Sequence, residues 1–175
     1  MIYLYERNKT GICVNRVFGY DGIVEIPDTL NGFPVTELGA YIFSDHIDAP
    51  ELNKKKETGS YCTENGTEEI PTEDMPQAAG NRVEEIRLPR ALRKIGRYAF
   101  YNCFQLRCLK FYGEMKDLGA GALTGCHKME QITVETDENG QSSLRDFLTE
   151  LPETLRVDMK TDGELGRFWF PEFFE

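Results

Sequence analysis

Residues Val83–Leu106, VEEIRLPRALRKIGRYAFYNCFQL, align with Leu106–Met129, LRCLKFYGEMKDLGAGALTGCHKM, at a constant offset of 23 residues. Ile86 falls on Leu109, Leu88 on Phe111, Ile95 on Leu118, Gly96 on Gly119, Ala99 on Ala122, Phe100 on Leu123, Cys103 on Cys126 and Leu106 on Met129. One more step takes Leu109 to Ile132 and Phe111 to Val134, so ten matches keep one register. An earlier copy, Ile23–Phe43, sets Val24 and Ile26 on Ile86 and Leu88, and Leu38, Gly39 and Phe43 on Ile95, Gly96 and Phe100. It holds five extra residues around Asn31–Pro34, where a turn can lengthen without disturbing a stacked core. A unit this short cannot cover its own apolar side. Copies must stack, each buried Leu or Phe contributing roughly 1.5–3 kcal/mol.

Within each copy, Glu85–Pro89, Cys108–Tyr112 and Gln131–Glu135 alternate apolar and polar residues, the period of a strand with one buried face. Ile86/Leu88, Leu109/Phe111 and Ile132/Val134 then point inward. The spacing from Ile95 to Phe100 to Leu106 is too short for a long helix and suits a turn with a short helical or 3₁₀ segment. The expected fold is an α/β solenoid: a short parallel sheet face, with turns or short helical segments opposite. Ile2–Tyr5 and Gly11–Phe18 flank a turn and read as a β-hairpin that caps the open end of the first strand. One domain over 1–160 is expected, divided into a hairpin cap (1–22), a first repeat (23–43), an insertion (44–82), the later repeats with a closing strand (83–135) and a C-terminal cap (136–160). The insertion is polar and proline-bearing, and reads as a long or disordered loop. The C-terminal cap combines a short helix, Leu144–Leu151, with a strand, Leu155–Met159. An aromatic tail, 161–175, follows.

The pattern Ile/Leu-Gly-x-x-Ala-Phe-x-x-Cys-x-x-Leu-x-x-Ile/Leu-x-Ile/Leu-Pro runs through Ile95–Phe111 and, more loosely, Leu118–Val134. It resembles the BspA-type leucine-rich repeat, and Asn31–Gly39, NGFPVTELG, is similar to the opening repeat common in that family. The resemblance covers about two fifths of the chain. It implies a curved, right-handed solenoid with parallel strands on one face, in a family that includes bacterial surface proteins binding host matrix proteins or other cells. Phe111-Tyr112 stands where the family has Ile-Pro, and Ala122-Leu123 where it has Ala-Phe.

The 175 residues carry a net charge of −10, which argues against nucleic acid and against anionic lipid as partners. No signal-like N-terminus or bilayer-length apolar run is seen, so the expected location is cytoplasmic, with the cell surface left open by the family resemblance. Five cysteines, odd in number and without a C-x-x-C pair, read as reduced thiols. Gly119–Gly125, GAGALTG, has the look of a phosphate loop. No Gly-Lys-Ser/Thr follows it, and Gly119 and Ala122 occupy repeat positions already filled by Gly96 and Ala99. Cys126 and His127 are neighbours in sequence, but Cys126 aligns with Cys103 as a core position, so a nucleophile–base pair is not expected. Cys108 counts outward from Leu109, with no partner for chemistry evident. The acidic residues Glu64, Glu68, Glu69, Glu73 and Asp74 lack calcium-loop spacing. No catalytic residue, cofactor or metal is expected.

Two surfaces remain as candidates for binding another protein. Glu25, Arg87, Lys110 and Thr133 form one outward row of the strands, with Pro27, Pro89, Tyr112 and Glu135 in the next; a basic centre beside Tyr112 suits an acidic or extended partner. The tail holds Phe168, Trp169, Phe170, Phe173 and Phe174, and either packs on the end of the stack or docks on another subunit or a further domain. The expected function is a non-enzymatic protein-interaction module. Its alternatives are a structural or regulatory N-terminal domain of a larger intracellular bacterial protein, or a surface adhesin if a signal sequence precedes Met1.

Overall fold

The alternating residues at the start of the chain form a hairpin of β1 (Ile2–Arg7) and β2 (Ile12–Phe18), pairing Ile2 with Phe18 and Arg7 with Ile12. The structure, a computed structural model, describes residues 1–45, 50–112, 115–136, 156–161 and 164–169. After the hairpin come β3 (Ile23–Glu25), β4 (Thr29–Leu30), β5 (Phe33–Leu38), helix α1 (Pro50–Thr58) and β6 (Ser60–Thr63). The repeats then supply β7 (Glu85–Arg87), β8 (Lys94–Ile95), β9 (Cys108–Tyr112), β10 (Asp117–Leu118) and β11 (Gln131–Thr136), followed by β12 (Arg156–Thr161) and β13 (Glu164–Trp169).

Each repeat contributes one strand to each of two sheets. The six-stranded sheet has the order β13-β12-β11-β9-β7-β3, parallel from β3 to β12 and closed by the antiparallel β13. Its register is that of the sequence repeat: Val24 beside Ile86, Ile86 beside Leu109, Leu109 beside Ile132. The other sheet has the order β10-β8-β5-β2-β1-β6, and its parallel part places Leu38, Ile95 and Leu118 side by side. What lies opposite the strand face is therefore a second, narrow ladder joined to turns at 97–102. The expected helical or 3₁₀ segment is absent there, because left-handed residues at Tyr98 (φ 53°) and Asn102 (φ 55°) break any helical run.

The core fills the space between the ladders. Val24, Ile86, Leu109 and Ile132 meet Leu38, Ile95, Leu106 and Met129, all buried. Phe43 and Phe100 stack in parallel, centroids 5.8 Å apart at 7°, and Leu123 takes the next place in that column. Ala99 and Ala122 are fully buried, leaving space only for a methyl.

The hairpin caps the stack, but on the other sheet from the one expected. Its β2 runs parallel to β5, Val14 beside Leu38, while the outer edge of β3 is met by the Tyr3 hydroxyl, which donates to the Glu25 carbonyl at 2.7 Å. The segment 44–82, expected as a loop, holds α1 and β6, with β6 antiparallel to β1. Leu52 and Cys62 are its buried anchors, and Tyr61 and Met75 pack on the hairpin's second apolar face of Ile2, Leu4 and Phe18. An unpaired edge at β1 supplies the hydrogen bonds that make a strand of a polar sequence.

The strand expected at Leu155–Met159 is β12. The expected helix Leu144–Leu151 lies outside the described residues. A boundary at residue 160 would cut the β12–β13 pair, in which Phe168 faces Val157 and Trp169 faces Arg156 in register.

Candidate functional site

The outward face of the six-stranded sheet carries the predicted partner-binding residues in adjacent rows. Glu25, Arg87, Lys110 and Thr133 are in register across β3, β7, β9 and β11, and Tyr112 stands beside Glu135. Parallel pairing sets like positions of successive repeats side by side, so a one-residue sequence pattern becomes a row. Pro89, placed in the second row by period-two counting, is buried. The strand β7 ends at Arg87, and beyond it the alternation no longer holds.

The charges on this face are satisfied within it. The Arg87 guanidinium donates through Nε to Glu85 at 2.8 Å and lies 3.7 Å from Glu25. The hydrogen bond to Glu85 raises the Arg87 pKa further. Lys110 sits 3.0 Å from Glu135 and 5.0 Å above the Tyr112 ring. Hydrogen bonding to Tyr112, then to Glu135, holds its ammonium above the ordinary lysine range. On the other side of Tyr112, Arg90 lies 4.9 Å from the ring centroid and is anchored by Asp28, which accepts from the Arg90 backbone N–H at 2.7 Å. The expected basic centre is thus a mixed-charge lattice, three carboxylates around Arg87 and Lys110. Each partner comes from the same or a neighbouring strand, where sequence spacing does not display it.

At the end of the sheet, Phe168 and Trp169 belong to β13, and Phe170, Phe173 and Phe174 lie outside the described residues. Backbone pairing ties the first two residues to the sheet.

Four of the thiols are held toward the neutral form. Burial pushes Cys13 up to about 12 and raises Cys62 and Cys108. It raises Cys103 as well, reinforced by Cys126. The Cys103 and Cys126 thiols donate to the carbonyls of Phe43 and Phe100, at 3.3 and 3.2 Å, the same contact one repeat apart. Cysteine at this position therefore ties neighbouring coils together. His127 is exposed, and His46 lies outside the described residues. Among the described residues no three His, Cys, Asp or Glu side chains converge to hold a metal ion.

One arrangement was missed from sequence. Tyr41, Tyr98 and Gly121 share a repeat position, and with Tyr101 and Thr124 they line a notch of about 500 Å³ on the turns. The signal was the Tyr, Tyr, Gly series at one register position, hidden because neither tyrosine belongs to the apolar pattern.

Residues 79–147 match the family described as BspA type leucine rich repeat region (6 copies). Among solved structures, a leucine-rich-repeat protein of T. pallidum (TpLRR) is similar, at 20% sequence identity and a TM-score of 0.28, covering 75% of this chain and 68% of that one. None of the curated proteins matches. No helix among the described residues is long and apolar enough to cross a membrane.

Proposed function

Since the chain carries a BspA-type leucine-rich-repeat region, we propose that it is a non-enzymatic protein-interaction module, a solenoid whose coils are the 23-residue repeats. Its binding surface is the outward face of the six-stranded sheet. The observation that supports this reading is the clamped Tyr112: an aromatic side chain on a strand, held between Arg90 and Lys110 and surrounded by ion pairs. An aromatic already fixed by its neighbours loses little conformational freedom on binding, the condition under which a few residues dominate an interface. Because each cation on the face has a carboxylate partner, the surface selects by pattern rather than by net charge, and suits an extended segment of alternating charge. Thr133 and Glu25 bound the row on either side of the two cations. The raised thiol pKa values at Cys13, Cys62, Cys103 and Cys108 favour a scaffold over cysteine chemistry.

The test is affinity capture from the source cell followed by direct binding of the partner recovered. Tyr112→Ala and the double variant Arg87→Glu, Lys110→Glu are compared with Lys94→Glu, which changes an exposed lysine on the other sheet. A loss of about tenfold or more in affinity is expected for both face variants and little change for Lys94→Glu. Equal binding by all three removes the face from the function.

A further inference from the structure

Tyr41, Tyr98 and Gly121 lie at one position of three successive copies, and the backbone is left-handed in each, with φ of 61°, 53° and 66°. The Tyr41 and Tyr98 rings stack, with centroids 5.4 Å apart and planes at 25°. The third copy has no side chain, and the Tyr98 ring lies over it, 2.5 Å from where a Gly121 Cβ would stand. A ladder of aromatic rings therefore stops one step short and leaves the notch of about 500 Å³. Tyr101 meets Tyr98 edge-on at 5.5 Å and 84°, so two of the aromatic walls stand at right angles.

We propose that this notch binds a small quaternary ammonium compound, a cation whose charge is spread over methyl groups. The faces of aromatic rings carry the negative lobe of the ring quadrupole, and perpendicular walls contact the methyl groups of such a cation from two sides. Its volume is in the range of small-ligand sites. Among the described residues no cationic side chain lines it. Arg97 lies 6.0 Å from the Tyr41 ring centroid and is bound to Glu51, and the buried Arg16 guanidinium is held by the Tyr41 and Ser44 carbonyls. The net charge of −10 draws cations toward the molecule and repels anions. The site lies on the turns and is independent of the strand-face reading.

The experiment titrates isotope-labelled protein with choline and with its neutral isostere, in which a tert-butyl group replaces the trimethylammonium. The amide signals of Gly121 and Thr124 are followed by NMR. Choline is expected to shift both saturably, with an affinity about tenfold or more above that of the isostere. Thr124→Trp, a change at an exposed position that fills the notch, and Tyr101→Leu are expected to abolish the shifts while keeping the native circular dichroism spectrum. The proposal is overturned if choline leaves Gly121 and Thr124 unmoved, if the isostere binds as well as choline, or if folded Thr124→Trp responds like the parent. Should Tyr101→Leu fail to fold, Thr124→Trp decides alone.

Discussion

Replacing Gly119 by alanine tests whether the coils are held at the distance that glycine alone permits. A Cβ there would stand 2.1 Å from the Arg97 nitrogen, 2.3 Å from the Gly96 carbonyl carbon and 2.4 Å from the Arg97 Cα. Ordinary carbon contacts fall at about 3.5–4.0 Å, so the two coils must part by more than about 1 Å locally. All three obstacles are backbone and cannot swing aside. The displacement acts on the hydrogen bonds that join the coils, Gly119 N–H to the Ile95 carbonyl at 2.7 Å and Tyr98 N–H to the Ala120 carbonyl at 3.1 Å. Overpacking costs about 1–3 kcal/mol, and two weakened hydrogen bonds add about 0.5–1.5 kcal/mol each. A total near 4 kcal/mol follows, which for a chain of this size lowers Tm by about 10 °C. The comparison is Gly32→Ala. Gly32, unlike Gly119, has a positive φ, 79°, and nothing lies within 4 Å of its Cβ position, so only a backbone penalty of about 1–2 kcal/mol applies there. Urea denaturation followed by far-ultraviolet circular dichroism measures both. If Gly119→Ala costs no more than Gly32→Ala, close approach of the coils is not what requires glycine.

Arg16 is fully buried, donating to the carbonyls of Tyr41 at 2.6 Å and Ser44 at 2.9 Å, and burial lowers its pKa to about 10. Arg16→Met should cost about 1–3 kcal/mol, since the Ser44 carbonyl loses the guanidinium while the Tyr41 carbonyl keeps its bond from the Ser44 N–H at 3.1 Å, read by the same denaturation assay; an unchanged midpoint would mean that water replaces the guanidinium. The buried thiols give a pH dependence. Folding raises their pKa values, so their contribution is complete below the unfolded value near 9 and is lost as pH climbs toward 12, the Cys13 value. Stability should fall over that window, and a Cys13→Ser, Cys103→Ser variant should show a shallower fall; an equal slope would assign the effect to other groups.

The register of the stack was readable because stacking repeats one environment at each step. Ile86, Leu109 and Ile132 recur at 23 residues since each must fill the same inward position, and they pair in that order. Gly121 and Gly125 have φ of 66° and 86° and occupy the left-handed positions held by Tyr98 and Asn102 one repeat earlier. Their sequence signal was ambiguous because non-glycine residues rarely adopt this conformation, and here two of them do. The helix and strand of 44–82 were not readable, since only Leu52 and Cys62 mark them as anchored.

What the sequence determined alone is the set of contacts that repeat: strand spacing, inward faces and the glycine and cysteine columns, each constrained by an identical neighbour above and below. The tertiary structure decided what happens where repetition ends. Arg16, a residue type expected in water, is buried because the first turn brings the Tyr41 and Ser44 carbonyls together to receive its guanidinium. β6 is a strand because β1 had a free edge, and the charges of Arg87 and Lys110 are balanced because β3 and β11 bring Glu25 and Glu135 beside them. Contacts between unlike segments leave no period in the sequence, since each is made once.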